Sequence, residues 1–152
     1  MSLSMPAPQL ILGFDYGTRR VGVACGNTLT CSAQPLKTLL HGAEPPWSDI
    51  ADLVKEFSPA RFVVGLPYNM DGTETSLTSS VRAFANQLES RFNRPVALVD
   101  ERLSSRAAED ELRDARAHGR MRKRVQRDDV DMTAAKLLVE QWLRKDNEAT
   151  KL

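Results

Sequence analysis

Three carboxylates stand where a folded chain could turn them on a substrate: Asp15, Glu101 and Asp131. Asp15 ends an apolar run and opens a glycine turn with two arginines, in LGFDYGTRRVGVA over residues 12–24. Glu101 follows the apolar VALV and an aspartate. Asp131 belongs to a helical pattern and lies about 20–40° around the wheel from Ala135, Leu138 and Trp142, inside the stripe that should be buried. A carboxylate is expensive there unless a helix N-terminus or a bound cation offsets the cost. Capping alone is a weak account, because Asp128 and Asp129 already offer caps for a helix beginning near Asp129. Oxygen-only donors suit Mg²⁺ or Mn²⁺ rather than zinc. Two such ions about 4 Å apart can clamp the attacking and leaving oxygens of a phosphodiester. The chemistry these acids suggest is phosphodiester hydrolysis.

Regular elements must carry them to one place. Residues 10–14 are rich in branched and aromatic side chains and read as a strand. Residues 19–25 alternate, with Val21, Val23 and Cys25 on one side and Gly22 and Ala24 on the other, which is strand periodicity. A short third strand over residues 29–35 would complete an antiparallel meander. Ile50, Leu53, Val54 and Phe57 form a helical stripe that Pro59 ends, and RFVVG over 61–65 is a strand. Leu77, Val81, Phe84, Ala85, Leu88 and Phe92 form the cleanest amphipathic helix, stopped before Pro95. A strand over 95–99 follows, then a helix capped by Ser104 or Ser105 that carries Ala108, Leu112 and Ala115. The last helix fades into charge after Trp142.

This order predicts an α/β fold: a mixed five-stranded sheet, three antiparallel strands followed by parallel ones, flanked by helices. If the first strand and the strand at 96–99 are parallel neighbours, Asp15 and Glu101 emerge at the same end, where clefts form in open sheets. The last helix can then bring Asp131 across.

Other polar residues border that end. GLPYNMDGTE, residues 65–74, carries turn chemistry, and Thr73, Thr75 or Ser76 can cap the helix after it. The stretch is either a plain connection or a phosphate-positioning loop through Asn69 and its backbone amides. Arg19 and Arg20 are candidates to pair with acids or touch phosphate. The run HGRMRKRVQR, residues 118–127, holds Arg120, Arg122, Lys123, Arg124 and Arg127, and it is either a solvated face or a grip on phosphates without sequence readout. His41 and His118 have no acidic or cysteine company nearby and read as surface residues, His118 being also a candidate proton shuttle.

Bulk properties exclude several classes. The 152 residues fit one domain, and a net charge of +1 is not that of a chain that binds polyanions by overall charge. Cys25 and Cys31 lack zinc-site spacing and read as free thiols of a reducing compartment. No stretch approaches the length of a membrane span. MSLSMPAPQ lacks the basic and long apolar regions of a signal peptide, which points to the cytoplasm. The expected organisation is a flexible tail over 1–9, one domain over 10–145 and a charged tail over 146–152.

Four segments carry a resemblance: LGFDYGTRRVGVA at 12–24, VVGLPYNMDGTE at 63–74, VDERLSS at 99–105 and DDVDMTAAKLLVEQWL at 128–143. Together and in this order they resemble the pre-16S ribosomal RNA nuclease family, also described as Holliday-junction-resolvase-like, of the ribonuclease-H-like superfamily. The resemblance implies that Asp15, Glu101 and Asp131 are the catalytic, metal-holding acids for Mg²⁺ or Mn²⁺. It also implies hydrolysis to 5′-phosphate and 3′-hydroxyl ends, and a role in maturing the 5′ end of pre-16S rRNA. The implied partner is precursor rRNA or a pre-ribosomal particle, or else branched DNA, with no membrane, and the chain a monomer or weak homodimer. Two other readings stay open: a Holliday-junction or other DNA resolvase, and a non-catalytic ribosome-assembly factor. D-x-G-T also resembles the phosphate loop of sugar kinases, actin and Hsp70, but those close two such domains around ATP.

Overall fold

Side-chain alternation along the strands decides the layers. The computed structural model describes residues 9–100 and 127–150. Strands β1 (Leu10–Tyr16), β2 (Arg20–Asn27) and β3 (Ser32–Leu40) form an antiparallel meander. Strands β4 (Arg61–Leu66) and β5 (Val96–Asp100) extend the sheet in parallel from β1, giving the order β3-β2-β1-β4-β5. Helices α1 (Trp47–Phe57), α2 (Thr78–Phe92) and α3 (Arg127–Thr150) complete the described elements. This is the mixed five-stranded sheet that the pattern of elements predicts.

One face of the sheet turns Leu12, Phe14, Val21, Val23, Phe62 and Val64 toward α1 and α2, where Ile50, Leu53, Val81, Phe84 and Leu88 meet them. Phe14 sits 5.9 Å from Phe62 and 5.8 Å from Phe84, ring centre to ring centre, tilted and edge-on as aromatic quadrupoles prefer. The other face turns Ile11, Ala24, Ala33, Val63 and Val99 toward Ala135, Leu138, Val139 and Leu143 of α3. By the same alternation Asp15 lies on the α3 face with Ile11 and Gly13.

The α3 face is built of small residues so that the helix can come close. A side-chain carbon at Gly13 or Gly26 would run into the Val139 methyls. At Gly22 it would overlap the backbone carbonyl of Asp131 and come within 3.0 Å of the Asp131 Cβ. Residues 131, 135, 139 and 143, one helical turn apart, are thus seated along a small-residue floor.

Three expectations need correction. β4 lies between β1 and β5, so the first strand and the strand at 96–100 are not neighbours, although they run the same way. Two parallel strands that are both short apolar runs give periodicity no means of ordering them. The third strand covers Ser32–Leu40 rather than 29–35, because Thr28–Cys31 make the connecting turn, with Cys31 in the left-handed region at φ 52°. Pro35 is accommodated because β3 is the edge strand and the ladder shifts register beside it. Finally, α3 is helical over Arg127–Thr150, so Asp128 and Asp129 lie within it and the helix continues past Trp142. Its C-terminal residues are mostly helix formers, so the backbone stays helical after the apolar stripe stops. The helix expected after Ser104 falls outside the described residues.

α2 is anchored by Thr78, which is fully buried and donates its hydroxyl to the Pro67 carbonyl. The same oxygen accepts the Thr75 N–H at 2.9 Å, while the Thr75 hydroxyl accepts the Leu77 N–H at 3.1 Å. The N-cap position is Leu77 and carries no side-chain cap, so none of the expected caps sits there, and Thr75 instead closes the turn just before the helix. Thr78→Val keeps the shape and strands both partners, so it is expected to cost about 1–3 kcal/mol. A urea midpoint unchanged from wild type would contradict that role for the hydroxyl.

Candidate active site

β1 delivers Asp15 near its C-terminal end, half-buried and paired directly with Gly22 across the β1–β2 ladder. Gly22 in turn is where α3 touches the sheet, at Asp131. The two aspartates therefore meet on one face of the sheet around a single glycine. Asp131, half-buried itself, is held by the Ala135, Leu138 and Val139 stripe that follows it in the helix. The sequence places this acid correctly on the inner face of its helix. What it misses is Gly22, whose lack of a side chain is the reason the acid can approach.

A cleft of about 470 Å³ opens beside the pair. Its lining is the Gly17–Arg20 turn, Leu40, His41 and Asp131. The turn is closed by the Gly17 N–H donating to the Arg20 carbonyl at 2.7 Å. Arg19 is exposed, whereas the Nε of Arg20 is buried.

His41, read from the sequence as an ordinary surface residue, belongs to this cleft. Its N–H donates to the Arg19 carbonyl at 3.0 Å, its Nε2 lies 2.8 Å from the Gly17 carbonyl oxygen, and its Nδ1 lies 3.0 Å from that of Gly42. The ring stacks on Tyr16 at 5.2 Å between centres, and Tyr16 stacks on Phe84 at 4.4 Å. Burial pushes the Tyr16 phenol above its ordinary pKa, so it stays protonated at neutral pH. Burial likewise raises the thiol of half-buried Cys25, and both Cys25 and exposed Cys31 are free.

The loop after β4 reaches the same end of the sheet. The Asn69 N–H donates to the Thr73 carbonyl at 2.8 Å, and its side-chain amide donates to the Thr73 hydroxyl at 2.9 Å. Asp71 accepts from both the backbone N–H and the hydroxyl of Thr73, at 3.0 and 2.7 Å. Here Asn69 braces a tight turn, in keeping with its turn chemistry.

Of the predicted site residues, Arg19 and Asp131 line the cleft, Asp15 pairs with Gly22 beside Asp131, and Asn69 sits on the neighbouring loop. Glu101, Arg120, Arg122, Lys123 and Arg124 lie outside the described residues, as does His118, and Arg127 is described only as helical backbone. Among the described residues no group of three or more His, Cys, Asp or Glu gathers at one point.

A meander extended by two parallel strands, with an acid on its central strand and another on a helix crossing it, defines the ribonuclease-H-like fold of the resolvases. T. thermophilus RuvC in complex with a Holliday junction substrate superposes with a TM-score of 0.59, covering 91% of this chain and 96% of that one at 11% identity. The yeast mitochondrial Holliday junction resolvase Ydc2 gives 0.53, covering 93% and 80% at 14% identity. At those identities the likeness is one of fold.

The chain belongs to the RuvX family, whose model, described as Holliday junction resolvase, matches residues 9–145. It is 45% identical over 139 residues to a Chromohalobacter salexigens protein named "Putative pre-16S rRNA nuclease", covering 91% of each. It is 44% identical over 138 residues to a protein of the same name from Alcanivorax borkumensis, covering 90% of this chain and 97% of that one.

Proposed function

We propose that this chain is a divalent-metal-dependent nuclease acting in 5′-end maturation of pre-16S rRNA in the cytoplasm, through one domain over residues 10–145. The observation that carries the reading is the meeting of Asp15 and Asp131 around Gly22. The names of the relatives support the substrate. No helix among the described residues is long and apolar enough to cross a membrane.

These acids fit Mg²⁺ or Mn²⁺. Both are hard oxygen donors, and the small-residue notch at Gly22 keeps bulk from between them. Glu101 is the third acid in this reading. It follows Asp100, the last residue of β5. A divalent cation held by these acids would supply Lewis-acid activation of water and of the phosphodiester.

The chain's own residues do the rest. Asp131 lines the cleft, and Asp15 stands beside it across Gly22. Arg19 and the run Arg120, Arg122, Lys123, Arg124 and Arg127 supply positive charge for the backbone phosphates. Asn69 and its loop, leaving β4 between β1 and β5, border the strand's path.

The test is cleavage of single-stranded RNA spanning the pre-16S 5′ junction by wild type and Asp15→Asn, with Mg²⁺, Mn²⁺ or EDTA. Cleavage is expected only for wild type with metal, with Asp15→Asn slower by at least about a hundredfold, the scale of losing one electrostatic stabiliser. RNA binding by both proteins without cleavage by either would overturn the nuclease reading and leave an assembly factor. A second reading, resolution of branched DNA, is favoured by the description of the matching family and by the fold likeness. A four-way DNA junction in parallel reactions separates it from the first.

A further inference from the structure

The cleft beside the acids is built from the turn outward. Its lining includes Thr18, Arg19, Arg20 and Asp131, so an occupant lies next to Asp131. The remaining wall is Leu40, 69% exposed, an apolar contact of the kind a sugar accepts. A turn carrying two arginines would ordinarily wander. Here His41 ties it down at the Arg19 and Gly17 carbonyls, and its stack on Tyr16 and Phe84 runs into the aromatic core.

The Nε2 of His41 faces the Gly17 carbonyl and its Nδ1 the Gly42 carbonyl, and the tautomer with Nε2–H donates to Gly17 and so holds the turn. With the arginines on a fixed turn, the cleft suits a phosphate, which guanidinium groups recognise by paired donors.

We propose that the Thr18–Arg20 turn is a subsite for the backbone phosphate flanking the scissile one on the β3 side, with His41 as its positioning residue. This rests on the nuclease reading of Asp15 and Asp131. Arg19 and Thr18 contact the phosphate, Arg20 adds charge from the base of the turn, and His41 acts through the turn alone. The ligand class is a phosphodiester strand, bound at a second phosphate so that the scissile one is set over the acids.

The experiment uses the full chain in two arms. First, wild type with Mg²⁺ maps the cleavage position on the pre-16S junction RNA. Second, Asp15→Asn, expected to cleave at least about a hundredfold more slowly, is titrated with copies of that RNA, each carrying one uncharged methylphosphonate linkage. One linkage adjacent to the scissile position is expected to weaken binding by about tenfold, the scale of a hydrogen bond to a charged group. That penalty is expected to vanish when Arg19→Ala or His41→Ala is added, while penalties at other linkages persist. Arg19→Ala is also expected to lower the salt slope of binding by about one.

In the cleaving background, His41→Ala is expected to raise KM with kcat nearly kept. His41→Gln, whose amide can donate to the Gly17 carbonyl, is expected to recover most of the affinity. Because Arg19 is exposed, its variant serves if His41→Ala folds poorly. Wild-type cleavage together with a scan indifferent to Arg19 and His41 overturns the subsite alone. Absence of metal-dependent cleavage overturns the nuclease reading and the subsite with it.

Discussion

Gly22→Ala is expected to abolish metal-dependent cleavage almost as completely as Asp15→Asn, although it touches no reacting group. A methyl at Gly22 meets the backbone of α3 at Asp131, and a backbone cannot rotate aside as a side chain can. The helix must lift or slide, and Asp131 moves with it, away from Asp15 on the paired strand. Catalytic acids placed an ångström wrong lose most of their effect, so a drop of at least about a hundredfold in kcat/KM is expected. The stability cost is the smaller quantity, about 1–3 kcal/mol for overpacking of this kind.

Gly13→Ala provides the control, because its new methyl meets mainly the Val139 side chain. Val139→Ala added to it is expected to recover part of the lost stability, since the two changes share one contact. Added to Gly22→Ala it is expected to recover none. Steady-state cleavage and urea denaturation of the four variants decide the matter. A Gly22→Ala enzyme with wild-type kcat/KM would show that the approach of α3 does not set the acid.

The same residues show which parts of this site a sequence can carry. Asp15 was legible because strand, turn and strand around it have different periodicities. Asp131 was legible because an acid inside an apolar helical stripe is a local contradiction. Gly22 was not, since a glycine in an alternating strand reads as a weak position until the helix above it is known. His41 was missed for a longer-range reason. Its place depends on the β2–β3 register, in which Arg20 faces Leu40, so the next residue reaches the turn around Arg19. With the third strand expected over 29–35, residue 41 fell in no element. The apolar stretch ending in Leu39 and Leu40 was the available signal, masked by Pro35, which an edge strand tolerates. Strand order was illegible for a related cause: β4 and β5 are both short apolar runs, and only packing against α3 and α2 sorts them.

Mg²⁺ is expected to stabilise the wild-type protein and to leave Asp15→Asn and Asp131→Asn almost where they were. A cation that binds the native acids but not the unfolded chain adds RT ln(1 + [L]/Kd), about 1.4 kcal/mol at ten times Kd. For a chain of this size that is a rise in Tm of about 3–6 °C. Asparagine keeps the shape and an oxygen at each position but removes the charge, so the variants separate cation binding from packing. Salt must be matched with a monovalent cation, because screening of surface charge also shifts Tm. Loss of the shift in both variants, with the fold retained, would make the two aspartates halves of one cation site. A shift that survives in either variant would place the cation away from that acid. The catalytic part proposed for that acid would then fall, even if the enzyme still cleaves.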